Sequence, residues 1–114
     1  MQGCFVELPA FERVRDRYLD DAAYSRLQTL PLLEPEVGDL LQGAGGLRKL
    51  RFCDSRRGKG TRGGLRIIYY HWSAQAEFWL FTVYDKNEMA DISREQKDKI
   101  REQLKAELRR RKFN

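Results

Sequence analysis

A dense run of basic side chains between Gly46 and Tyr70 is the part of this sequence with the clearest chemistry. The run holds eight basic residues and a single acid, Asp54. The basic residues are Arg48, Lys49, Arg51, Arg56, Arg57, Lys59, Arg62 and Arg66. Cations at this density suit the phosphates of a nucleic-acid backbone, whose condensed counter-ions they replace. The run therefore predicts a polyanionic partner.

Strand alternation decides which of these cations share a face. Basic and apolar residues alternate from Lys49 to Phe52, which is the period of a half-buried strand. If Leu50 and Phe52 face the core, Lys49 and Arg51 must face the other way, side by side.

A second strand is predicted over Leu65–Trp72, where isoleucine and tyrosine are frequent. The glycine-rich segment Ser55–Gly64 then forms the long loop of a hairpin. Alternation within the second strand puts Arg66 and His71 on opposite faces. The histidine, which is the only one in the chain, is therefore expected to be structural rather than catalytic.

The composition is that of one folded domain over residues 1–114. Hydrophobic residues make up 41% of the chain, enough for one core, and the net charge is +5. Cys4 and Cys53 lack metal-ligand spacing, so we expect buried, reduced thiols and neither a metal nor another cofactor. With no recognisable signal peptide or membrane-spanning stretch, we expect a cytoplasmic protein without membrane contact.

The first part of the chain predicts a strand followed by two helices. Apolar residues recur at helical spacing after Pro9, which suits a first helical turn. Asp20 or Asp21 can cap the second helix, and Pro31 and Pro35 are expected to end it. The two helices together predict a helical hairpin that covers the core.

The remaining segments complete the sheet and add a last helix. Segment 36–46 fits neither a dinucleotide fingerprint nor a P-loop and is interpreted as a connector. Glu77–Tyr84 predicts a central strand, in which Trp79 could be either a core residue or a base-stacking ring. Ser93 and Gln96 have capping-box spacing before the last helix. The order β–α–α–β–β–β–α predicts an α+β fold with an antiparallel sheet of about four strands, an N-terminal helical hairpin and a C-terminal helix.

Three motifs in combination resemble a known family. They are GLRKLRF from Gly46, KGTRGGLRIIYY from Lys59 and FTVYDKNEMADIS from Phe81. Together with the order of elements, they resemble the RelE/ParE toxin superfamily, most closely the HigB-type branch of type II toxin–antitoxin pairs. The resemblance implies a RelE-like microbial-ribonuclease fold and ribosome-dependent cleavage of mRNA in the A site. It also implies three kinds of partner, namely the ribosome with its rRNA and mRNA, a helix-turn-helix antitoxin, and operator DNA through that antitoxin alone.

The resemblance also assigns site residues. Two alternating basic residues of the family's second strand correspond to Lys49 and Arg51, and the arginine that opens the third strand corresponds to Arg66. A basic residue just after the last strand corresponds to Lys86. We therefore expect these four residues to form the catalytic group.

Cleavage by the RNA's own 2′-OH needs a base, cations that stabilise the phosphorane, and an acid for the 5′ oxygen. Lys49, beside Arg51 and near Arg66, is crowded by cations, and we expect a lowered pKa that suits proton transfer. Arg66 is expected to stabilise the transition-state phosphate. Glu88 could be an acid or a base, although a salt bridge to Lys86 is the preferred interpretation.

The sequence departs from some members of the family near the last helix. Asn87 and Ser93 stand where these relatives carry an arginine and a tyrosine that stacks on the substrate base. Tyr84 or Tyr70 could supply the stacking ring instead.

Further contacts with RNA and the ribosome are expected from Arg48, Arg56, Arg57, Lys59, Arg62 and Tyr70. Two other functions remain open at this point, a ParE-like inhibitor of DNA gyrase and a plain nucleic-acid-binding module. A gyrase inhibitor of this fold does not need convergent cations at the four catalytic positions. The predicted convergence therefore favours the nuclease.

Overall fold

A five-stranded sheet is the centre of the fold in the computed structural model, which describes residues 4–53 and 64–112. The strands are β1 (Cys4–Glu7), β2 (Asp39–Leu40), β3 (Arg48–Phe52), β4 (Leu65–Trp72) and β5 (Glu77–Asp85). The helices are α1 (Pro9–Tyr18), α2 (Asp21–Leu33) and α3 (Arg94–Lys112). Helices α1 and α2 cover one face of the sheet, and α3 covers part of the other.

The strand order is β1-β5-β4-β3-β2, and β1 runs parallel to β5 while the other pairs are antiparallel. The predicted α+β class and the order of the main elements are confirmed. Two details differ from the prediction. The connector contains the short strand β2, which pairs with β3, and the parallel β1–β5 pair makes the sheet mixed. A strand of two exposed residues carries no alternation from which it could be predicted.

Capping side chains are present at the starts of α2 and α3, whereas the start of α1 at Leu8 has no side-chain cap. Asp20 accepts a hydrogen bond from the backbone N–H of Ala23 at 2.7 Å. The N–H of Gln96 donates to the hydroxyl of Ser93 at 3.1 Å, and the side-chain oxygen of Gln96 accepts a hydrogen bond from the backbone N–H of Ser93 at 2.9 Å. Pro31 lies inside the last turn of α2 instead of ending it. The prediction was wrong because the ring of Pro31 is buried against the core, which offsets the loss of one helical hydrogen bond.

Two hydrophobic clusters lie on opposite faces of the sheet. The cluster under α1 and α2 includes Leu50 and Phe52, which confirms that these residues face the core. Trp79 is fully buried in the cluster under α3, so it is a core residue. The ring of His71 stacks on Phe78 at 4.8 Å, in the cluster under α1 and α2, which confirms that it lies opposite Arg66.

Both cysteines are exposed, so the prediction of buried thiols was wrong. Cys4 is the first residue of an edge strand, and Cys53 follows the last residue of β3. Each therefore lies at a strand end, where the apolar neighbours in the sequence do not enclose it.

The hydroxyl of Tyr69 fixes the connector to the sheet. It accepts a hydrogen bond from the N–H of Gly38 at 3.0 Å and donates one to the carbonyl of Pro35 at 2.9 Å. A Cβ atom at Gly38 would lie 2.8 Å from the Tyr69 ring and 3.0 Å from the carbonyl oxygen of Lys49. The glycine therefore permits the close approach that brings β2 beside β3.

Substitution of Tyr69 by phenylalanine should lower the free energy of unfolding by about 1–3 kcal/mol, because it leaves a buried N–H and a carbonyl without their partner. Urea unfolding measures the loss. Tyr70→Phe is the matched control in the same strand, because no hydrogen bond of its hydroxyl is found within the described residues, and it should change stability far less. Equal effects of the two substitutions would show that the connector is not held by this hydroxyl.

Candidate functional site

The pairing of β3 with β4 gathers three predicted cations on one face of the sheet. Arg51 is the cross-strand partner of Arg66, and Lys49 is the partner of Ile68, which belongs to the cluster under α3. Directly opposed residues share a face and lie about 5 Å apart at their Cβ atoms. Lys49, Arg51 and Arg66 therefore form one surface, called here the cationic face.

The three cations differ in how freely they can reach solvent. Arg66 is only 8% exposed, and one of its guanidinium nitrogens donates to the carbonyl of Leu65 at 3.3 Å. The side chain of Lys49 is 17% exposed, whereas that of Arg51 is 65% exposed and lies 3.9 Å from a carboxylate oxygen of Asp39. The cationic face thus combines a fixed, buried guanidinium with two more accessible cations.

A carboxylate that the sequence did not single out also lies on the cationic face. One oxygen of Asp91 lies 3.5 Å from the ammonium of Lys49, and it accepts hydrogen bonds from the hydroxyl of Tyr84 at 3.3 Å and from the N–H of Ile92 at 2.9 Å. Partial burial acts to raise the pKa of Asp91, but the Ile92 N–H and the Lys49 ammonium outweigh it and hold the pKa below its ordinary value. Lys49 therefore has an acidic neighbour in addition to the cations Arg51 and Arg66.

Tyr84 completes the inner wall of the site. It is the cross-strand partner of Arg66 and is 5% exposed. Burial, reinforced by the neighbouring Asp91 carboxylate, raises the pKa of Tyr84 to about 12, so its hydroxyl keeps its proton and acts as a donor at neutral pH. Its ring belongs to the core, and the half-buried ring of Tyr70 packs against Gly46 and Trp79 in the same cluster.

Lys86 lies at the end of the sheet where β4 begins. Its backbone N–H donates to the carbonyl of Gly64 at 3.1 Å, two residues before Arg66. Glu88 does not form the predicted salt bridge with Lys86. Its carboxylate instead binds the guanidinium of Arg17 and accepts a hydrogen bond from Tyr18 at 2.7 Å. The end of α1 approaches this turn, which local sequence could not show.

The other predicted contacts are placed elsewhere or lie outside the described residues. Arg48 is on the opposite face of β3, where its guanidinium donates to the carbonyl of Gly38 at 2.9 Å and pairs with Glu36. Ser93, one of the two departures from the family pattern, caps α3. The loop cations lie outside the described residues, and their contact with RNA stays a prediction; they are Arg56, Arg57, Lys59 and Arg62.

The described part of the chain contains neither a metal-binding group of side chains nor a membrane-spanning helix. Residues 4–53 and 64–112 contain no group of three or more His, Cys, Asp or Glu side chains that could hold a metal ion. No helix within these residues is both long enough and apolar enough to cross a bilayer.

Comparison with known proteins identifies the fold. No protein-family model matches the chain. A doubly substituted mutant of the E. coli toxin RelE in the free state aligns with a TM-score of 0.52 at 16% identity, covering 79% of this chain and 90% of that chain. A chain of the intact E. coli RelBE toxin–antitoxin complex aligns with a TM-score of 0.51 at 15% identity, covering 72% of this chain and 94% of that chain. The fold is therefore RelE-like, as the sequence predicted.

Replacement of Asp91 by asparagine should destabilise the protein at neutral pH but not at strongly acidic pH. The pKa of Asp91 in the folded chain is below the ordinary 3.8, so its stabilising effect is complete above that value and disappears as the pH falls through the folded-state pKa. The loss at neutral pH should be less than about 1 kcal/mol, since the pair is partly exposed. Urea unfolding at both pH values measures it, and equal destabilisation at the two values would exclude an effect of charge.

Proposed function

We propose that this chain is the toxin of a type II toxin–antitoxin pair, of the HigB type, and that it acts as a ribosome-dependent endoribonuclease on mRNA in the A site. The observation that carries the proposal is the convergence of Lys49, Arg51 and Arg66 on one face of a RelE-like sheet. Three cations within one cross-strand neighbourhood make a surface that attracts an anionic ligand, in addition to the Asp91 and Asp39 carboxylates that lie beside Lys49 and Arg51. A phosphate of the RNA backbone supplies that ligand.

The reaction proposed is attack by the RNA's own 2′-OH. The 2′ oxygen forms a bond to phosphorus and gives its proton to a base, while the bond from phosphorus to the 5′ oxygen breaks and an acid protonates that oxygen. Negative charge accumulates on the crowded phosphorane between these steps. Cations that are already positioned around that charge stabilise the transition state, and this is usually the largest contribution to lowering the activation barrier.

Arg66 is the residue proposed to stabilise the phosphorane. Its burial and its place at the start of β4 fix the guanidinium before substrate arrives, and the planar fork can contact two phosphate oxygens at once. Arg51 adds charge from the exposed side of the face. Lys49 and Lys86 are proposed to transfer the two protons.

An antitoxin is the protein partner proposed for this chain. The support is the fold of the RelBE toxin–antitoxin complex, in which the similar chain is held with its partner. Within the described residues, two large apolar side chains are strongly exposed, Leu33 at the end of α2 and Leu40 in β2. A partner that covers either side chain buries exposed apolar surface, and its bulk would block docking of the toxin to the ribosome.

Arg66→Ala should lower the rate of mRNA cleavage about 100- to 10,000-fold, by analogy with removal of one oxyanion donor. Arg66→Lys should restore little, because an ammonium cannot reproduce the fork. Affinity for the ribosome should change far less, since many other cations share that contact. Single-turnover cleavage of ribosome-bound mRNA, measured with the affinity of the same complex, separates the two effects.

Arg48→Ala is the matched control, because it removes the same charge from the opposite face of the sheet. It should cleave at close to the wild-type rate. Thermal unfolding of each variant confirms that the fold is kept, which matters for the buried Arg66. Cleavage by Arg66→Ala at the wild-type rate, or a parallel loss of rate and affinity, would make Arg66 a docking residue and not a catalytic one.

A further inference from the structure

The carboxylate of Asp91 occupies the cationic face of the free chain. Its single contacting oxygen lies near the Lys49 ammonium and receives the Tyr84 hydroxyl and the Ile92 N–H. These groups donate to one anionic oxygen from three directions, as they would to an oxygen of a bound phosphate. Asp91 therefore takes the position of an anionic ligand.

A phosphate and Asp91 would compete for the same lysine. The side chain of Lys49 is only 17% exposed, and its ammonium is already in contact with Asp91. A phosphate oxygen brought against Lys49 would also lie beside the carboxylate, and two like charges at that distance repel each other. One of the two anions has to leave.

Asp91 is the one that can move. Its side chain is 62% exposed, and it lies in the segment that joins β5 to α3, outside any helix or strand. The contacts that hold it to the face, at 3.3 Å and 3.5 Å, are long for hydrogen bonds. The backbone of Lys49, in contrast, is held by the pairing of β3 with β4.

We propose that Asp91 is the internal counter-ion of the cationic face, which an RNA phosphate must displace before it can contact Lys49. This inference rests on the proposed function, because it takes RNA as the ligand of that face.

The test measures binding of a 2′-O-methyl trinucleotide, whose blocked 2′ oxygen prevents cleavage, to the full chain by calorimetry at low salt. Asp91→Asn keeps an oxygen that can accept the hydrogen bonds of Tyr84 and Ile92 but removes the charge. Its affinity should exceed that of the wild type by about two- to fivefold, the range expected from loss of one partly exposed ion pair.

Asp16→Asn is the matched control. Asp16 is on α1, which packs on the other face of the sheet, and it lies 3.6 Å from Arg15, a separation close to that of Asp91 and Lys49. The same change of net charge at this position should leave the affinity unchanged. Thermal unfolding shows that each variant is folded under the conditions of the titration.

Two outcomes overturn the inference. Affinity of folded Asp91→Asn at or below that of the wild type would show that the carboxylate does not compete with phosphate, and an equal gain in Asp16→Asn would reduce the effect to overall charge. A different result would contradict the proposed function alone. In that case the trinucleotide binds more tightly to Asp91→Asn than to the wild type, but the wild type cleaves no mRNA on ribosomes.

Discussion

The antiparallel register between β3 and β4 is the constraint on which the candidate site depends. It makes Arg51 the partner of Arg66 and keeps Lys49 on the same face. A slip by one residue would turn every side chain of β3 to the other face. Burial of Leu50 and Phe52, worth about 1.5–3 kcal/mol each, opposes such a slip. Packing of two apolar residues under the helices thus determines where the cations lie.

A bulge in the pairing of β4 with β5 lets one face of the sheet carry both the candidate site and the cluster under α3. The pairing of β4 with β5 shifts between Ile68 and Tyr69, so that Phe81 is an extra residue in β5. A bulge of this kind changes the alternation of one strand relative to its partner. Tyr84 therefore lies beside Arg66 at one end of the face, while Trp79 is buried under α3 at the other.

Charge on the cationic face is balanced from elsewhere in the chain. Like charges opposed across a strand pair are destabilising, as with Arg51 and Arg66. Asp91 and Asp39 bring carboxylates to Lys49 and Arg51 from segments outside β3 and β4. Stability of the free chain and affinity for an external anion therefore oppose each other at this site.

The sequence predicted those features of the structure that depend on local periodicity. Alternation placed Lys49 and Arg51 away from the core, and capping spacing located the start of α3. It did not show that Asp91 would contact Lys49, because 42 residues separate the two and no local periodicity relates their positions. The pairing of Glu88 with Arg17 was missed for the same reason, since it depends on how α1 packs against the end of β5.

Cleavage of a modified mRNA on the ribosome shows whether the chain cuts RNA through the 2′-OH. The substrate is an mRNA with a single 2′-deoxy nucleotide at the cleavage position of the A-site codon, compared with the unmodified mRNA on the same ribosomes. We expect the unmodified mRNA to be cut to a 2′,3′-cyclic phosphate end and the deoxy substrate not to be cut there. Equal cleavage of both, or cleavage of neither, would contradict this expectation.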